Sequence, residues 1–180
     1  MALSATIHVF EIELADSDRG VFQPLELRVA RHPSETADFL LTRVLAYCLE
    51  YCEGIAFSRG ISDTDEPTLA VRDLTGALLA WIDVGSPEAA RLHKAGKAAP
   101  RVAVYTHKDP DQWIARLASE RIHRVEQLEI HSINREWLAA LTKKLSRRMA
   151  FTLTVSERHI YLSMGEETTS TVVERHGVPH

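Results

Sequence analysis

The sequence has few cysteines and no long apolar run. Cys48 and Cys52 are the only cysteines among 180 residues, and their spacing suits neither a C-x-x-C redox pair nor a disulfide framework. We interpret both as reduced, buried thiols. No stretch approaches the roughly 18 apolar residues that span a bilayer, and the first residues show no basic segment followed by an unbroken apolar one. These absences predict a cytoplasmic protein without membrane contact.

An excess of positive charge is missing as well. Lys and Arg number 21 against 25 Asp and Glu, so the formal net charge is −4. Most nucleic-acid binders carry a basic excess, and contact with nucleic acid would therefore need a local patch. The run KKLSRR (143–148) is the candidate patch, although basic residues at the end of a helix also satisfy the helix dipole.

Several catalytic and binding motifs are also absent. The chain has no P-loop, no G-x-G-x-x-G and no G-x-S-x-G, which excludes a Walker-type site, a Rossmann dinucleotide site and an α/β-hydrolase elbow. Its nine histidines lack the spacing of zinc ligands. Any chemistry that the sequence indicates must therefore come from its carboxylates.

The pattern of apolar residues predicts a mixed α/β fold in one domain, with a mixed β-sheet flanked by helices and with antiparallel strands at both ends of the chain. Alternation predicts an opening hairpin, and a core helix follows, capped by Ser34 and ended before Gly54. Strands then alternate with helices, as in βαβ units, from about residue 77. We expect a C-terminal hairpin turning near 156–158, an edge strand within 168–175 and a disordered tail at 176–180.

Asp83 stands at the end of an apolar strand. Because side chains alternate faces along a strand, it shares one face with Leu79, Trp81 and Gly85. An ionised carboxylate there is costly unless it is paired, hydrogen-bonded or bound to a cation. A structural interpretation is also open, in which solvent and the free N–H groups of a helix begun at Ser86 stabilise the charge.

Asp73 ends the preceding strand, and a short hairpin brings the two strands side by side. The register of the hairpin is not fixed by the sequence, so convergence of Asp73 and Asp83 is an inference. Two converging carboxylates repel each other unless a cation or a proton lies between them. Oxygen ligands of this kind suit Mg²⁺ or Mn²⁺.

Five segments of the chain resemble the YaeQ family: ARHPSET, FSRG, DEP, DLTG and WIDVGSPEAARLHKA. The resemblance extends over essentially the whole chain. YaeQ-like proteins are similar in fold to the PD-(D/E)XK nucleases, whose restriction-endonuclease-like core places an acidic residue on one strand and a (D/E)-x-K tripeptide on the next. The resemblance places Asp73 at the first acidic position and Asp83 at the second.

The nuclease pattern has a lysine where this chain has Gly85. A glycine cannot stabilise charge on a phosphate, so Lys94, on the helix that follows, is the candidate substitute, and Arg91 lies one turn closer. Glu66 could supply a third carboxylate to the metal, although it could equally belong to a solvated acidic loop. Glu50 on the core helix could face the site or could be an ordinary exposed helix residue.

Two functions remain open at this point. In the first, Asp73 and Asp83 hold Mg²⁺ in a nuclease or phosphodiesterase, and Lys94 or Arg91 stabilises phosphate charge. In the second, the chain is a catalytically inactive module of nuclease fold that binds a protein or nucleic-acid partner. The fold resemblance does not decide between them. No exposed heptad or long apolar stripe indicates association, so we predict a monomer.

Overall fold

The computed structural model describes residues 4–59 and 64–180, which divide into two compact units. The first unit comprises the residues up to Leu41 together with Asn134–Val173, and the second comprises Thr42–Ile133 together with Glu174–His180. Each unit is built on its own β-sheet. The mixed α/β class is confirmed, but the structure has two sheets where one was predicted, because alternation identifies a strand without identifying the sheet it joins. The single domain predicted from chain length stays a prediction.

The strands and helices are numbered in chain order. The described strands are β1 (Thr6–Asp16), β2 (Val21–Arg31), β3 (Ile55–Phe57), β4 (Leu69–Arg72), β5 (Leu78–Val84), β6 (Arg101–Thr106), β7 (Glu129–Ser132), β8 (Arg148–Ser156), β9 (His159–Met164), β10 (Glu167–Val172) and β11 (Glu174–His176). The described helices are α1 (Ala37–Leu49), α2 (Ala89–Ala98), α3 (Asp111–Ala118) and α4 (Arg135–Thr142). No helix within residues 4–59 and 64–180 is long and apolar enough to cross a membrane.

The sheet of the first unit has the strand order β10-β9-β8-β1-β2. β1 pairs with β8 in parallel, and every other neighbouring pair is antiparallel. Along β1, Phe10, Ile12 and Leu14 are buried, whereas Glu11 and Glu13 between them are exposed. This period of two places one apolar face of the sheet inside. Both predicted terminal hairpins are confirmed.

The sheet of the second unit has the strand order β11-β7-β6-β5-β4-β3. β5, β6 and β7 are parallel, as the alternation of strands and helices predicted, while β3, β4 and β5 form antiparallel pairs. A buried apolar cluster on this sheet includes Trp81 of β5, Leu92 of α2, Val104 of β6 and Trp113 of α3. The strands that position the candidate site therefore belong to a well-packed core.

Two predicted helix starts were wrong. α1 begins at Ala37, where the Thr36 hydroxyl accepts a hydrogen bond from the Phe39 amide at 3.1 Å, so Thr36 and not Ser34 is the cap. α2 begins at Ala89 rather than at the Ser86-Pro87 step. At the start of α3, the Asp109 carboxylate accepts a hydrogen bond from the Asp111 amide at 3.0 Å.

The predicted C-terminal tail and one of the two predicted buried thiols also differ from the structure. His176 lies in β11 and Val178 is buried in the apolar cluster, so the expected tail at 176–180 contributes to the second unit. A single buried valine between polar residues gives no periodic signal, which explains why the sequence did not show it. Cys48 is buried, but Cys52 is exposed, and no disulfide joins them.

Candidate functional site

The carboxylate of Asp83 is enclosed and fully engaged by neighbouring donors. Its side chain is 2% exposed. Arg91 binds it in a bidentate manner, with Nε donating to Oδ2 at 2.7 Å and Nη2 donating to Oδ1 at 2.9 Å. The amide and the hydroxyl of Thr68 add donors to Oδ1 at 3.2 and 3.3 Å. Asp83 therefore has the partner that its burial requires, and that partner is a guanidinium.

Arg91 joins three stretches of the second unit. It projects from α2 onto β5, and its Nη2 and Nη1 groups also donate to the Glu66 carbonyl at 2.8 Å and the Thr64 carbonyl at 3.1 Å. Its guanidinium carbon lies 5.2 Å from the centroid of the Trp81 ring, within cation–π distance. Arg91 thus links the segment 64–66, which precedes β4, to the end of β5 by hydrogen bonds.

Lys94 lies three residues after Arg91 on α2, and Glu66 lies in the segment that Arg91 binds. Lys94 forms an ion pair with Asp65, and both side chains are largely exposed. The hydrogen bond from Lys94, followed by its charge, lowers the pKa of Asp65 below its usual value. Glu66 is half-buried, and its backbone carbonyl rather than its carboxylate binds Arg91. The structure therefore gathers Glu66, Asp83, Arg91 and Lys94 in one region.

Asp73 lies elsewhere. In the hairpin of β4 and β5, Arg72 pairs with Leu78 and Leu69 pairs with Ile82, so Asp73 is at the turn and Asp83 is at the open end. Leu78, beside the turn, and Asp83 are five positions apart along β5, which corresponds to roughly 17 Å at about 3.4 Å per residue. The expected convergence of the two carboxylates was wrong, because in an antiparallel hairpin the end of the first strand lies beside the start of the second strand and not beside its end.

The carboxylate of Asp73 instead organises the hairpin turn. Its Oδ1 accepts from the Thr75 amide at 2.9 Å, the Thr75 hydroxyl at 2.6 Å and the Ala77 amide at 3.0 Å. The hydroxyl bond, followed by the Ala77 amide, lowers the pKa of Asp73. Aspartate at a tight turn commonly binds backbone groups a few residues ahead, and that role accounts for Asp73 here.

The backbone explains the glycine that replaces the strand lysine. Gly85 has φ of 95°, a conformation that L-residues with a side chain rarely adopt, and its amide donates to the Tyr105 carbonyl at 2.9 Å. A lysine in this backbone conformation would be strained, and its side chain would point in a different direction from that of a lysine in an extended strand. Gly85 is therefore part of how β5 ends, not simply a missing catalytic group.

These residues do not fit a divalent cation in the observed arrangement. Mg²⁺ takes oxygen ligands in a near-octahedral shell, with carboxylates supplying one or two of them. Both oxygens of Asp83 already accept hydrogen bonds, and Asp73 is distant. Among residues 4–59 and 64–180, no group of three or more His, Cys, Asp or Glu side chains is arranged to hold a metal.

A second charged network in this unit was missed by the sequence analysis. Glu50, just after α1, is buried, and it accepts from Arg101 at 2.6 and 3.0 Å and from the Tyr105 hydroxyl at 2.6 Å. Arg101 also binds Glu129 at 2.6 and 3.1 Å. Of the two interpretations left open for Glu50, the exposed helix residue was wrong. Arg101 and Glu129 begin the neighbouring parallel strands β6 and β7, and parallel strand starts share one sheet edge, which is the signal that could have identified the pair.

The network shifts the pKa values of its members in opposite directions. The contact with His131, 3.5 Å away, and then the bonds from Arg101 lower the pKa of Glu129 to about 2. The bonds to Glu50 raise the pKa of Arg101. Burial raises the pKa of the Tyr105 hydroxyl well above its usual value, and the adjacent Glu50 charge adds to that effect. Arg101 and Glu129 are thus held charged at neutral pH, with Tyr105 protonated.

The polar run KKLSRR lies in the first unit, after the end of α4. Lys144 pairs with Glu167, and Arg148 pairs with Glu11 at 2.6 Å, while Lys143 and Arg147 are exposed. In the polar segment before α1, the His32 ring contacts the Ser34 hydroxyl at 2.6 Å, and Arg31 donates to the Glu35 carbonyl at 3.1 Å. These contacts form the turn that leads into the helix.

The fold and the site define a class: mixed α/β proteins in which a buried aspartate at the end of a central strand is bound by an arginine from the next helix. The family model described as "YaeQ protein" matches residues 1–173, and the chain belongs to the YaeQ family. It is 32% identical to the uncharacterized protein YaeQ of Escherichia coli (strain K12) over 165 residues, which is 91% of each chain. The corresponding protein of Salmonella typhi is 33% identical over the same share.

Two solved structures of this family are similar to the chain. The crystal structure of YaeQ from Pseudomonas syringae has a TM-score of 0.85 and 29% identity, covering 98% of this chain and 97% of that one. The crystal structure of YaeQ from Xanthomonas axonopodis pv. citri has a TM-score of 0.88 and 29% identity, covering 98% and 100%. The family resemblance drawn from the sequence segments is confirmed.

Proposed function

We propose that this chain is a protein-binding module in which Arg91 holds the position that a catalytic cation would need beside Asp83. One observation carries the proposal: both oxygens of the buried Asp83 carboxylate accept hydrogen bonds from Arg91 and Thr68. Removing one member of a buried ion pair typically costs about 3–5 kcal/mol. A divalent cation would have to displace Arg91 at a comparable cost, and the displacement would also release the segment at Thr64 and Glu66.

A protein partner fits the charge of the chain better than a nucleic acid does. The net charge of −4 lacks the basic excess that supplies most non-specific affinity for nucleic acids. In the basic run 143–148, Lys144 and Arg148 are each paired with a glutamate of the same unit, which reduces the charge offered to phosphates. The cytoplasmic location and the monomeric state inferred from the sequence stay predictions.

A Mg²⁺-dependent nuclease or phosphodiesterase is the second candidate. The observation in its favour is that Glu66, Asp83, Arg91 and Lys94 occupy one region of the second unit, with basic groups able to face a phosphate. This function requires a state in which Arg91 leaves Asp83. Asp73 is not part of that candidate site, because it lies at the other end of the hairpin.

A titration with Mg²⁺, followed by NMR on isotopically labelled protein, tests the proposal. We expect no saturable shifts at residues 64–68, 83 and 91, since the guanidinium keeps the carboxylate. Asp73→Asn is the matched control, because it removes an exposed carboxylate at the turn, whereas Asp83→Asn removes the buried one. Saturable shifts at these positions that persist in Asp73→Asn and disappear in Asp83→Asn would contradict the proposal.

A hydrolysis assay on a simple phosphodiester with Mg²⁺ or Mn²⁺ gives an independent readout. If the chain is a binding module, we expect no metal-dependent turnover by the wild-type protein. The second candidate predicts turnover that Lys94→Ala lowers and that Lys97→Ala, an exposed lysine on the same helix, leaves unchanged.

A further inference from the structure

β10 forms an open edge of the first unit's sheet. Among the strands of the described residues it pairs with β9 alone, and every residue from Glu167 to Val172 is exposed except the half-exposed Thr171. Residues 168–172 are Thr-Thr-Ser-Thr-Val, without the proline, lysine or glycine that usually protects an edge. By contrast, β2 at the opposite edge contains Pro24. β10 therefore offers unpaired backbone groups to an added strand.

An apolar pocket lies directly beside this edge. It has a volume of about 120 Å³ and is lined by Trp137 and Leu141 of α4 and by Leu162 and Met164 of β9. The Trp137 indole donates to the Thr169 hydroxyl at 3.1 Å, which ties the helix to the edge strand. An apolar cavity of about 150 Å³ holds a molecule the size of benzene, so this one suits a single apolar side chain.

The geometry of the sheet connects the edge to the pocket. Thr169 pairs with Leu162, so both side chains point to the same face, toward the pocket. In a strand added beside β10, the residue opposite Thr169 would project onto that face as well. Its side chain would enter the space between α4 and β10.

The charges around the pocket indicate what the added strand should carry. Lys144 lines the pocket and pairs with the exposed Glu167, and the basic run continues through the exposed Lys143 and Arg147. Three exposed basic side chains, Lys143, Lys144 and Arg147, follow the end of α4, whereas two acidic ones, Glu166 and Glu167, lie at the start of β10. A segment with acidic residues next to its apolar anchor would complement the basic ones.

We propose that the groove between β10 and α4 binds an extended segment of a partner protein, which adds a strand to β10, places one apolar side chain in the pocket and sets acidic residues against Lys143 and Lys144. This mode of recognition takes affinity from main-chain hydrogen bonds and specificity from the pocket. It rests on the proposed function, because it assigns a site and a chemistry to the protein partner.

The test uses the full chain and a phage-displayed library of linear dodecapeptides. We expect selection of peptides with an apolar residue followed by acidic ones, and binding of the synthesised peptide should shift the NMR signals of residues 137–144 and 162–172. Ala140→Leu fills the pocket from an exposed helix position and should weaken binding about tenfold or more. Ala139→Leu makes the same change at the neighbouring exposed position, which does not line the pocket, and should leave affinity unchanged.

Strand addition is tested separately on the peptide. N-methylation of the amides that face β10 should abolish binding, whereas N-methylation of the alternate amides should not, because only one set can donate to an edge strand. Selected peptides that are insensitive to both N-methylation and Ala140→Leu would overturn the proposal. So would a library that yields no binder, or self-association of the chain through β10.

The two proposals fail in distinguishable ways. The peptide experiment follows NMR signals of residues 137–172 in the first unit, whereas the Mg²⁺ titration follows signals of residues 64–91 in the second. Cation binding at Asp83 without peptide binding would overturn both proposals, and loss of peptide binding alone would overturn only the groove.

Discussion

Arg91 illustrates how one residue sets the properties of the candidate site. Its guanidinium uses Nε, Nη1 and Nη2 to bind Asp83 and the Thr64 and Glu66 carbonyls, so its donors are largely committed to the protein itself. The sequence correctly predicts that Asp83 needs a stabilising partner, since a buried carboxylate is costly. It left open a metal ion or solvent and helix N–H groups as that partner and did not indicate Arg91, because the spacing of eight residues between Asp83 and Arg91 does not reveal a contact across α2 and β5.

Arg91→Met should lower the free energy of unfolding by about 3–5 kcal/mol, because it leaves the Asp83 carboxylate buried without its counter-charge. Urea denaturation followed by far-UV circular dichroism measures the change. Lys94→Met is the matched control on the same helix, and it should have little effect because its ion pair with Asp65 is exposed. An equal loss in both variants would show that the Asp83 pair is not special.

At the scale of elements, the Glu50, Arg101 and Glu129 network joins the end of α1 to the starts of β6 and β7. Arg101 and Glu129 did not stand out in the sequence, and Glu50 was considered only for the site at Asp83, because each one alone resembles an ordinary charged residue at the boundary of an element. The hairpin of β4 and β5 followed from its turn residues, and its antiparallel direction by itself places Asp73, after β4, far from Asp83, near the end of β5.

Acid should weaken the second unit through Glu129. Its pKa is lowered from 4.5 to about 2 in the folded protein, so its contribution to stability is present above about 4.5 and is lost as the pH falls toward 2. Glu129→Gln should therefore flatten the pH dependence of the unfolding free energy across this range. Urea titrations at several pH values measure the slope, with Glu126→Gln, an exposed neighbour, as the control. A slope that is the same in Glu129→Gln and wild type would contradict the prediction.

At the scale of the whole molecule, the C-terminal segment contributes to the second unit. After β10 in the first unit, the chain pairs β11 with β7 and buries Val178 against the core that includes Trp81 and Trp113. From the sequence these last residues were predicted to be a tail, since three strand residues and one valine are too short for a periodic pattern.

Val178→Ala should destabilise the protein by about 1–3 kcal/mol, because it removes buried methyl groups from a packed cluster. Thermal and urea denaturation provide the measurement. Val172→Ala is the matched control, since Val172 is 40% exposed, and it should change stability by much less. If both variants match the wild type, residues 176–180 behave as the tail that the sequence suggested.

The sequence by itself determined the mixed α/β class, the two terminal hairpins, the parallel β5 to β7 segment and the need for a partner at Asp83. These features depend on local periodicity and on the cost of burying charge, which neighbouring residues encode. Tertiary structure alone decided the division into two sheets, the hairpin register, the binding of Asp83 by Arg91 rather than by a metal ion, and the Glu50 network. Each of these depends on which distant groups meet in space, and that is settled by the packing of the complete chain.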